Sequence, residues 1–119
     1  MNILVTNNPL VVAQFNGDFS VEHLDASFLD VLIRVRGHVH SGRRLLTHPL
    51  SGSVKPNETP YKSVLVSGLC GETDEQSVRI IEEGIIAVRK FPPRDIPKHC
   101  LPDLQAVDLS LISSALGRE

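Results

Sequence analysis

The stretch NILVTNNPLVVAQFNGDFSVEHL, residues 2–24, holds two short apolar runs on either side of a helical pattern. The first run, residues 2–6, is rich in β-branched residues and predicts a strand. Asn8 then offers a cap for a helix, and Pro9 suits the first helical position, where a missing N–H costs nothing. An Asn-Gly pair ends that helix, and the run at residues 19–24 predicts a second strand. A strand, a helix and a strand in this order predict two parallel strands.

The rest of the chain continues to alternate strand and helix patterns. A second helix is predicted to begin at Ser27, which forms a capping-box pattern with Asp30, and to stop at Gly42. Two further apolar runs, residues 43–48 and residues 63–68, predict a third and a fourth strand. Two more helices with apolar stripes follow the fourth strand. The whole pattern is therefore that of an α/β protein.

This order predicts a single α/β domain over residues 1–119. Strands of continuous apolar character are typical of a parallel sheet that is covered on both faces. The expected architecture is a small Rossmann-like three-layer sandwich with a four-stranded, mostly parallel sheet. A long loop, residues 49–62, is expected between the third and fourth strands, and the last helix is expected at about residues 103–115. Ligands of such sheets bind beyond the C-terminal ends of the strands.

Composition narrows the classes of function. The chain has 119 residues, is 41% hydrophobic and carries a net charge of −2, which argues against a general affinity for nucleic acid or anionic membranes. Four Phe, one Tyr and no Trp leave few rings on which bases would stack. The N-terminal residues do not resemble a signal peptide, and no apolar run approaches ~18 residues. We therefore expect a cytoplasmic protein without a membrane segment, and an oligomer is compatible with the sequence.

The loop at residues 49–62 is the most unusual segment. It contains three prolines and no helical pattern, and a structureless loop longer than ~12 residues is usually functional or disordered. Prolines stiffen a chain, which favours function. Hydroxyl and backbone N–H groups around Ser51, Gly52 and Ser53 would cradle a phosphate or carboxylate, with Lys55 as counter-charge. The alternative is that these are only turn-forming residues.

Asn7 and Asn8 extend this candidate site, because they place amide donors at a helix N-terminus that favours negative charge. The prediction requires Asn8, Ser51 and Gly71 to lie at one edge of the sheet, where co-directional strands end. No dinucleotide fingerprint or P-loop pattern is present, and no cofactor is predicted. The predicted ligand-binding residues are Asn7, Asn8, His48, Ser51, Gly52, Ser53, Lys55, Asn57 and Tyr61.

His48 is the candidate catalytic residue. Its ordinary pKa of about 6.5 suits a general base, and Glu58 and Tyr61 would share its site. The protein would then be a small hydrolase or transferase. The alternative is that His48 hydrogen-bonds the backbone of its own loop.

Other reactive residue types give weaker patterns. His38 and His40 fall near a helix end, where side chains two residues apart point in different directions, so we predict no metal site. They would instead complement the helix dipole. Cys70 lies just after the fourth strand and near a helix start, where the pKa of a thiol would fall. The alternative is a small buried thiol.

Charge is distributed unevenly along the chain. Residues 31–62 include six lysines and arginines and one acidic residue, whereas residues 72–83 include five acidic residues and one arginine. A charged run is usually a solvated face. The basic run coincides with the long loop, and its other interpretation is a surface that docks an acidic partner.

Two runs resemble the GrdX-type family: TNNPLV at residues 6–11 and LLTHPLSGSVKPNETPYKSV at residues 45–64. These are small proteins encoded beside the glycine, sarcosine and betaine reductase systems of amino-acid-fermenting anaerobes. The resemblance covers most of the chain. It implies a cytoplasmic bacterial protein with an accessory role in that pathway, and components of the reductases as partners. The family offers no catalytic residues to carry over.

Overall fold

The computed structural model describes residues 1–52, 54–92 and 94–118. In this part of the chain, three strands and four α-helices form a small α/β fold. The strands are β1 (Ile3–Thr6), β2 (Ser20–His23) and β3 (Ser63–Val66), and the helices are α1 (Pro9–Phe15), α2 (Phe28–His40), α3 (Glu75–Lys90) and α4 (Leu101–Ala115). A single 3-10 turn, Lys98–Cys100, leads into α4.

The sheet is mixed, with the strand order β2-β1-β3. β1 runs parallel to β2, as the strand–helix–strand order at the start of the chain predicts. β1 runs antiparallel to β3, so that Ile3 lies opposite Val66 and Thr6 lies opposite Ser63. The end of β1 is therefore beside the beginning of β3.

The predicted four-stranded, mostly parallel, Rossmann-like sheet is not confirmed. Within the described residues, the run at 43–48 forms no strand and makes only an isolated bridge between Leu45 and Val66. Its backbone N–H groups are partly satisfied by side chains instead. Arg44 N–H donates to Ser67 Oγ at 2.8 Å, and Leu45 N–H donates to Ser77 Oγ at 3.0 Å.

The direction of β3 also follows from its connection. A parallel strand is normally reached through a crossover helix, and the segment between α2 and β3 holds none in its described part. A chain that returns through a loop pairs more readily in the antiparallel direction. The prediction that this strand is parallel to the others is wrong.

Apolar side chains are buried on both faces of the sheet. Val5, Val64 and Val66 pack into a cluster with α2 and α3. Leu4 and Leu65 point the other way and pack with side chains of α1 and α4. The alternation follows from the two-residue period of a strand. Every residue of β3 is buried, as expected for a strand covered on both faces.

Two helix starts follow the predicted capping chemistry. Asn8 Oδ1 accepts a hydrogen bond from Leu10 N–H at 3.1 Å, and Pro9 occupies the first position of α1. Ser27 and Asp30 form a reciprocal capping box at the start of α2. Each cap fixes the point at which its helix begins. The Asn8 cap places the start of α1 directly after β1.

Candidate functional site

One edge of the sheet joins two segments that are far apart in sequence. Lys62 N–H donates to Asn7 Oδ1 at 2.9 Å, and the side-chain oxygens of Thr6 and Ser63 lie 2.6 Å apart. The segment after β1 and the end of the long loop therefore meet. The antiparallel register of β3 brings them together.

Gly71 lies at the opposite edge. It follows β3, which ends beside the beginning of β1. Gly71 N–H donates to the carbonyl oxygen of Gly42 at 2.9 Å. The prediction that Asn8, Ser51 and Gly71 share one edge is wrong for Gly71, because it assumed co-directional strands. Exposed Cys70 belongs to this opposite edge too, so the alternative of a buried thiol does not apply to it.

The two asparagines use their side-chain donors within the protein. Asn7 Nδ2 donates to the carbonyl oxygens of Ala26 at 2.9 Å and Pro60 at 2.7 Å. Asn8 Nδ2 donates to the carbonyl oxygen of Gln105 and to Asp108 Oδ2, both at 2.9 Å. Both N–H bonds of each amide are occupied. These side chains hold the edge together and have no donor left for a ligand.

A directed chain of hydrogen bonds runs from the start of α1 to α4. Asn8 N–H donates to Thr6 Oγ1 at 3.0 Å, and Ser63 Oγ donates to Asp108 Oδ2 at 2.8 Å. Since the Ser63 proton points to Asp108, the Thr6 hydroxyl donates to Ser63. Asp108 is only 4% exposed. Burial raises its pKa above the ordinary value, although hydrogen bonds from Asn8 and Ser63 and the charge of Lys62 act in the other direction.

Lys62 is the buried cation of this edge. It is 6% exposed, and its Nζ atom donates to Ser51 Oγ at 3.0 Å. Burial lowers the pKa of Lys62, and the nearby Asp108 charge opposes that shift. Among the described residues, Lys62 forms no ion pair, so its partner is a neutral hydroxyl.

These groups line a cavity of about 200 Å³, which we call the edge pocket. Its polar wall includes His48, Ser51, Lys62, Ser63 and Asp108, and its apolar wall includes Leu50, Leu111, Ile112 and Ala115. Gly52 also borders it. The edge pocket thus combines a shielded ammonium group, a shielded carboxyl group and hydroxyl groups within one small volume. Pockets with such perturbed titratable groups are candidate functional sites.

His48 reaches the edge pocket with one ring nitrogen at most. Both the N–H and the carbonyl oxygen of Leu50 lie 3.0 Å from its Nδ1 atom. In either tautomer Nδ1 is therefore engaged with the loop backbone, which is the alternative that the sequence offered. Only Nε2 is available to a ligand. A role for His48 as a general base stays a prediction.

Three other predicted ligand residues lie outside the edge pocket. Lys55 is exposed, and its N–H donates to Glu58 Oε1 at 3.0 Å. Tyr61 Oη accepts a hydrogen bond from Gln105 Nε2 at 2.8 Å. Asn57 borders a different, larger cavity of about 520 Å³. The predicted ligand residue Ser53 falls outside the described residues. The positive charge at this edge is therefore that of Lys62, which is not among the ligand residues predicted from the sequence.

The basic run at residues 31–62 is partly balanced by acids of the same chain. Three arginines each contact a carboxylate: Arg34 with Glu22, Arg36 with Glu82 at 3.8 Å, and Arg44 with Asp74 at 3.9 Å. His38 and His40 contact different carboxylates, at 3.2 Å and 3.5 Å. The two histidine rings are therefore separated, as predicted. Because its arginines contact carboxylates, the basic run is not one continuous positive surface.

Comparison with known proteins gives one match. The profile of a family described as "GrdX-like protein" matches residues 3–117. No curated protein and no solved structure matches the chain. Within residues 1–52, 54–92 and 94–118, no helix combines the length and hydrophobicity that a membrane crossing requires.

Proposed function

Because this chain belongs to the GrdX-like protein family, we propose that it is an accessory protein that binds a small molecule bearing a carboxylate or phosphate group. The ligand occupies the edge pocket. The pathway is the reductive fermentation of glycine, sarcosine or betaine, and the resemblance of its two sequence runs to that family supports this assignment. A cytoplasmic location and contact with reductase components belong to the same proposal.

The observation that carries the ligand assignment is the buried Lys62 ammonium group. Removing a charged group from water costs several kcal/mol unless an opposite charge compensates it. The described residues supply Lys62 with a neutral hydroxyl, Ser51 Oγ, at 3.0 Å. A bound carboxylate or phosphate would provide the missing charge. It would also accept a hydrogen bond from the Ser51 hydroxyl.

Asp108 does not prevent an anion from binding there. Burial raises its pKa, which favours the neutral carboxylic acid. Its Oδ2 atom is already occupied by Asn8 and Ser63. In its neutral form, Asp108 would neither repel an anion nor satisfy Lys62. Binding should therefore strengthen as the pH falls and both groups take up protons.

The size of the edge pocket limits the ligand. Its volume of about 200 Å³ lies below the range of roughly 300–1,000 Å³ that drug-sized ligands occupy. The wall formed by Leu111, Ile112 and Ala115 is apolar. A small acid with a short apolar part fits both properties. Large nucleotides do not.

Thermal shift measurements test this function. A panel of small carboxylates and inorganic phosphate should raise the melting temperature of the wild type and of Lys55→Met, which removes an exposed lysine of the same loop. The same compounds should not stabilise Lys62→Met, whose apolar side chain suits a buried position. Equal stabilisation of Lys62→Met, or no stabilisation of the wild type by any compound, would remove the support for this function.

A further inference from the structure

We propose that Ser51 and Lys62 form a nucleophile–base pair that hydrolyses small carboxylic esters in the edge pocket. This activity goes beyond the ligand binding proposed above, although it uses the same cavity. Lys62 then replaces His48 as the base of a small hydrolase.

The geometry of the pair is that of a serine activated by an adjacent amine. Lys62 Nζ lies 3.0 Å from Ser51 Oγ, within the ~2.6–3.2 Å over which a base removes a proton. Both residues line the edge pocket. Ser51 is partly exposed, whereas Lys62 is 6% exposed. The nucleophile is therefore open to a substrate, and the base is shielded from water.

The surroundings favour a neutral amine. An ammonium group cannot accept a proton, so a lysine base requires a pKa below its ordinary value. Burial lowers the pKa of Lys62. The charge of Asp108 opposes this shift, but burial raises the pKa of Asp108 itself and so reduces that charge. Ser63 is not the nucleophile, because its hydroxyl donates to Asp108 at 2.8 Å.

The chain holds the base in place. Lys62 N–H is anchored to Asn7 Oδ1 at 2.9 Å, and the next residue begins β3. Asn7 is fixed in turn by its two bonds to carbonyl oxygens. His48 and Gly52 border the same cavity. In this proposal, the His48 Nε2 atom and the Gly52 N–H group would donate to the oxygen of a substrate carbonyl.

The reaction balances with water as the only co-substrate. As Ser51 Oγ attacks the carbonyl carbon, its proton passes to the neutral Lys62 amine. The tetrahedral intermediate collapses, the bond to the alcohol breaks, and the departing alkoxide takes the proton from the Lys62 ammonium group. Water then attacks the acyl-serine and gives a proton to Lys62, which returns it to Ser51 as the carboxylic acid leaves. The product is a small carboxylate, the ligand class of the proposed function, and it would inhibit by pairing with the Lys62 ammonium group.

Labelling with a fluorophosphonate probe, together with hydrolysis of p-nitrophenyl acetate, tests this activity. Mass spectrometry should place the adduct on Ser51 in the wild type and in Lys55→Met. Ser51→Ala should abolish the adduct. Lys62→Arg should lower the hydrolysis rate on the order of 100-fold. A guanidinium group always carries its proton in a protein and therefore does not act as a base. If Lys62→Arg does not fold, Lys62→Met takes its place and should lower the hydrolysis rate by a similar factor.

The outcomes separate the two proposals. Lys62→Arg keeps a positive charge, so it should still bind acetate while it loses hydrolysis. In the wild type, hydrolysis should rise with pH as Lys62 deprotonates, whereas acetate binding should weaken. Two results would overturn the nucleophile–base pair and leave the binding function standing. The first is a wild type that binds acetate but is not labelled by the fluorophosphonate probe. The second is an adduct on a residue other than Ser51. Labelling of Ser51 without acetate binding would overturn the binding function alone.

Discussion

The hydroxyl groups of Thr6 and Ser63 lie 2.6 Å apart where β1 ends and β3 begins. This contact exists because the two strands are antiparallel. It places Lys62, the residue before Ser63, beside Asn7. It also brings Ser63 to Asp108 of α4. The edge pocket is thus assembled by the direction of one strand.

Replacing Asp108 should destabilise the fold. Its Oδ2 atom accepts hydrogen bonds from Asn8 and Ser63, so Asp108→Ala leaves two buried donors without their acceptor. Each such group costs about 1–3 kcal/mol, so the two together should lower the free energy of unfolding by about 2–6 kcal/mol. Urea denaturation followed by circular dichroism measures it. Ser110→Ala, at an exposed position of α4, is the control. Equal stability of the two variants would show that the buried network contributes little.

The pH dependence of stability should change in Asp108→Asn. The pKa of Asp108 is raised in the folded state, so the folded protein holds this proton more tightly than the unfolded chain. Its contribution is complete below the ordinary aspartate pKa of 3.8 and is lost as the pH rises through the folded-state value. The stability of the wild type relative to Asp108→Asn should therefore fall from about pH 4 upwards. Denaturation curves of both proteins at several pH values check this. A difference that stays constant or grows with pH contradicts the shift.

Gly42→Ala should destabilise the protein more than Gly17→Ala. Both glycines have positive φ angles, +103° and +98°. A Cβ atom at Gly42 would lie 2.1 Å from the carbonyl oxygen of Gly71, whereas at Gly17 it would meet nothing within 4 Å. We expect about 1–2 kcal/mol for the backbone strain at Gly17 and a larger loss at Gly42. Thermal and urea unfolding measure both. Equal losses would contradict the close packing of the edge opposite the pocket.

Local sequence patterns predicted the first half of the fold well. The cap at Asn8, the proline at position 9 and the capping box of Ser27 with Asp30 are local signals, and the structure contains all of them. The run at residues 43–48 was misleading. Its apolar residues resemble a strand, but the N–H groups of Arg44 and Leu45 donate to side-chain oxygens from residues distant in sequence. Leu46 N–H still donates to the carbonyl oxygen of Leu65 at 2.9 Å, so the run pairs with β3 only in part. A buried strand also looks the same whether it is parallel or antiparallel, so the direction of β3 was not readable from its residues.

The sequence predicted only some of the residues that line the edge pocket. The sequence predicted His48, directly before the loop, and Ser51 and Gly52 within it as ligand residues, and all three border the cavity. Lys62 and Asp108 were missed because their burial depends on tertiary packing. Two signals would have indicated them. Lys62 directly precedes a buried strand with three consecutive apolar residues, Val64–Val66, and Asp108 lies among the apolar residues of α4.

The most direct test of the central claim is the pKa of the Lys62 ammonium group, measured by NMR on protein with isotope-labelled lysine. Lys62→Met identifies the signal by its disappearance. Without ligand, Lys62 should titrate below the ordinary lysine value of 10.5, because burial lowers its pKa. Saturating acetate or phosphate should raise that pKa, since a bound anion stabilises the ammonium form. An ordinary pKa in the free protein, or a pKa that neither anion changes, would contradict the assignment of Lys62 as the anion-binding group.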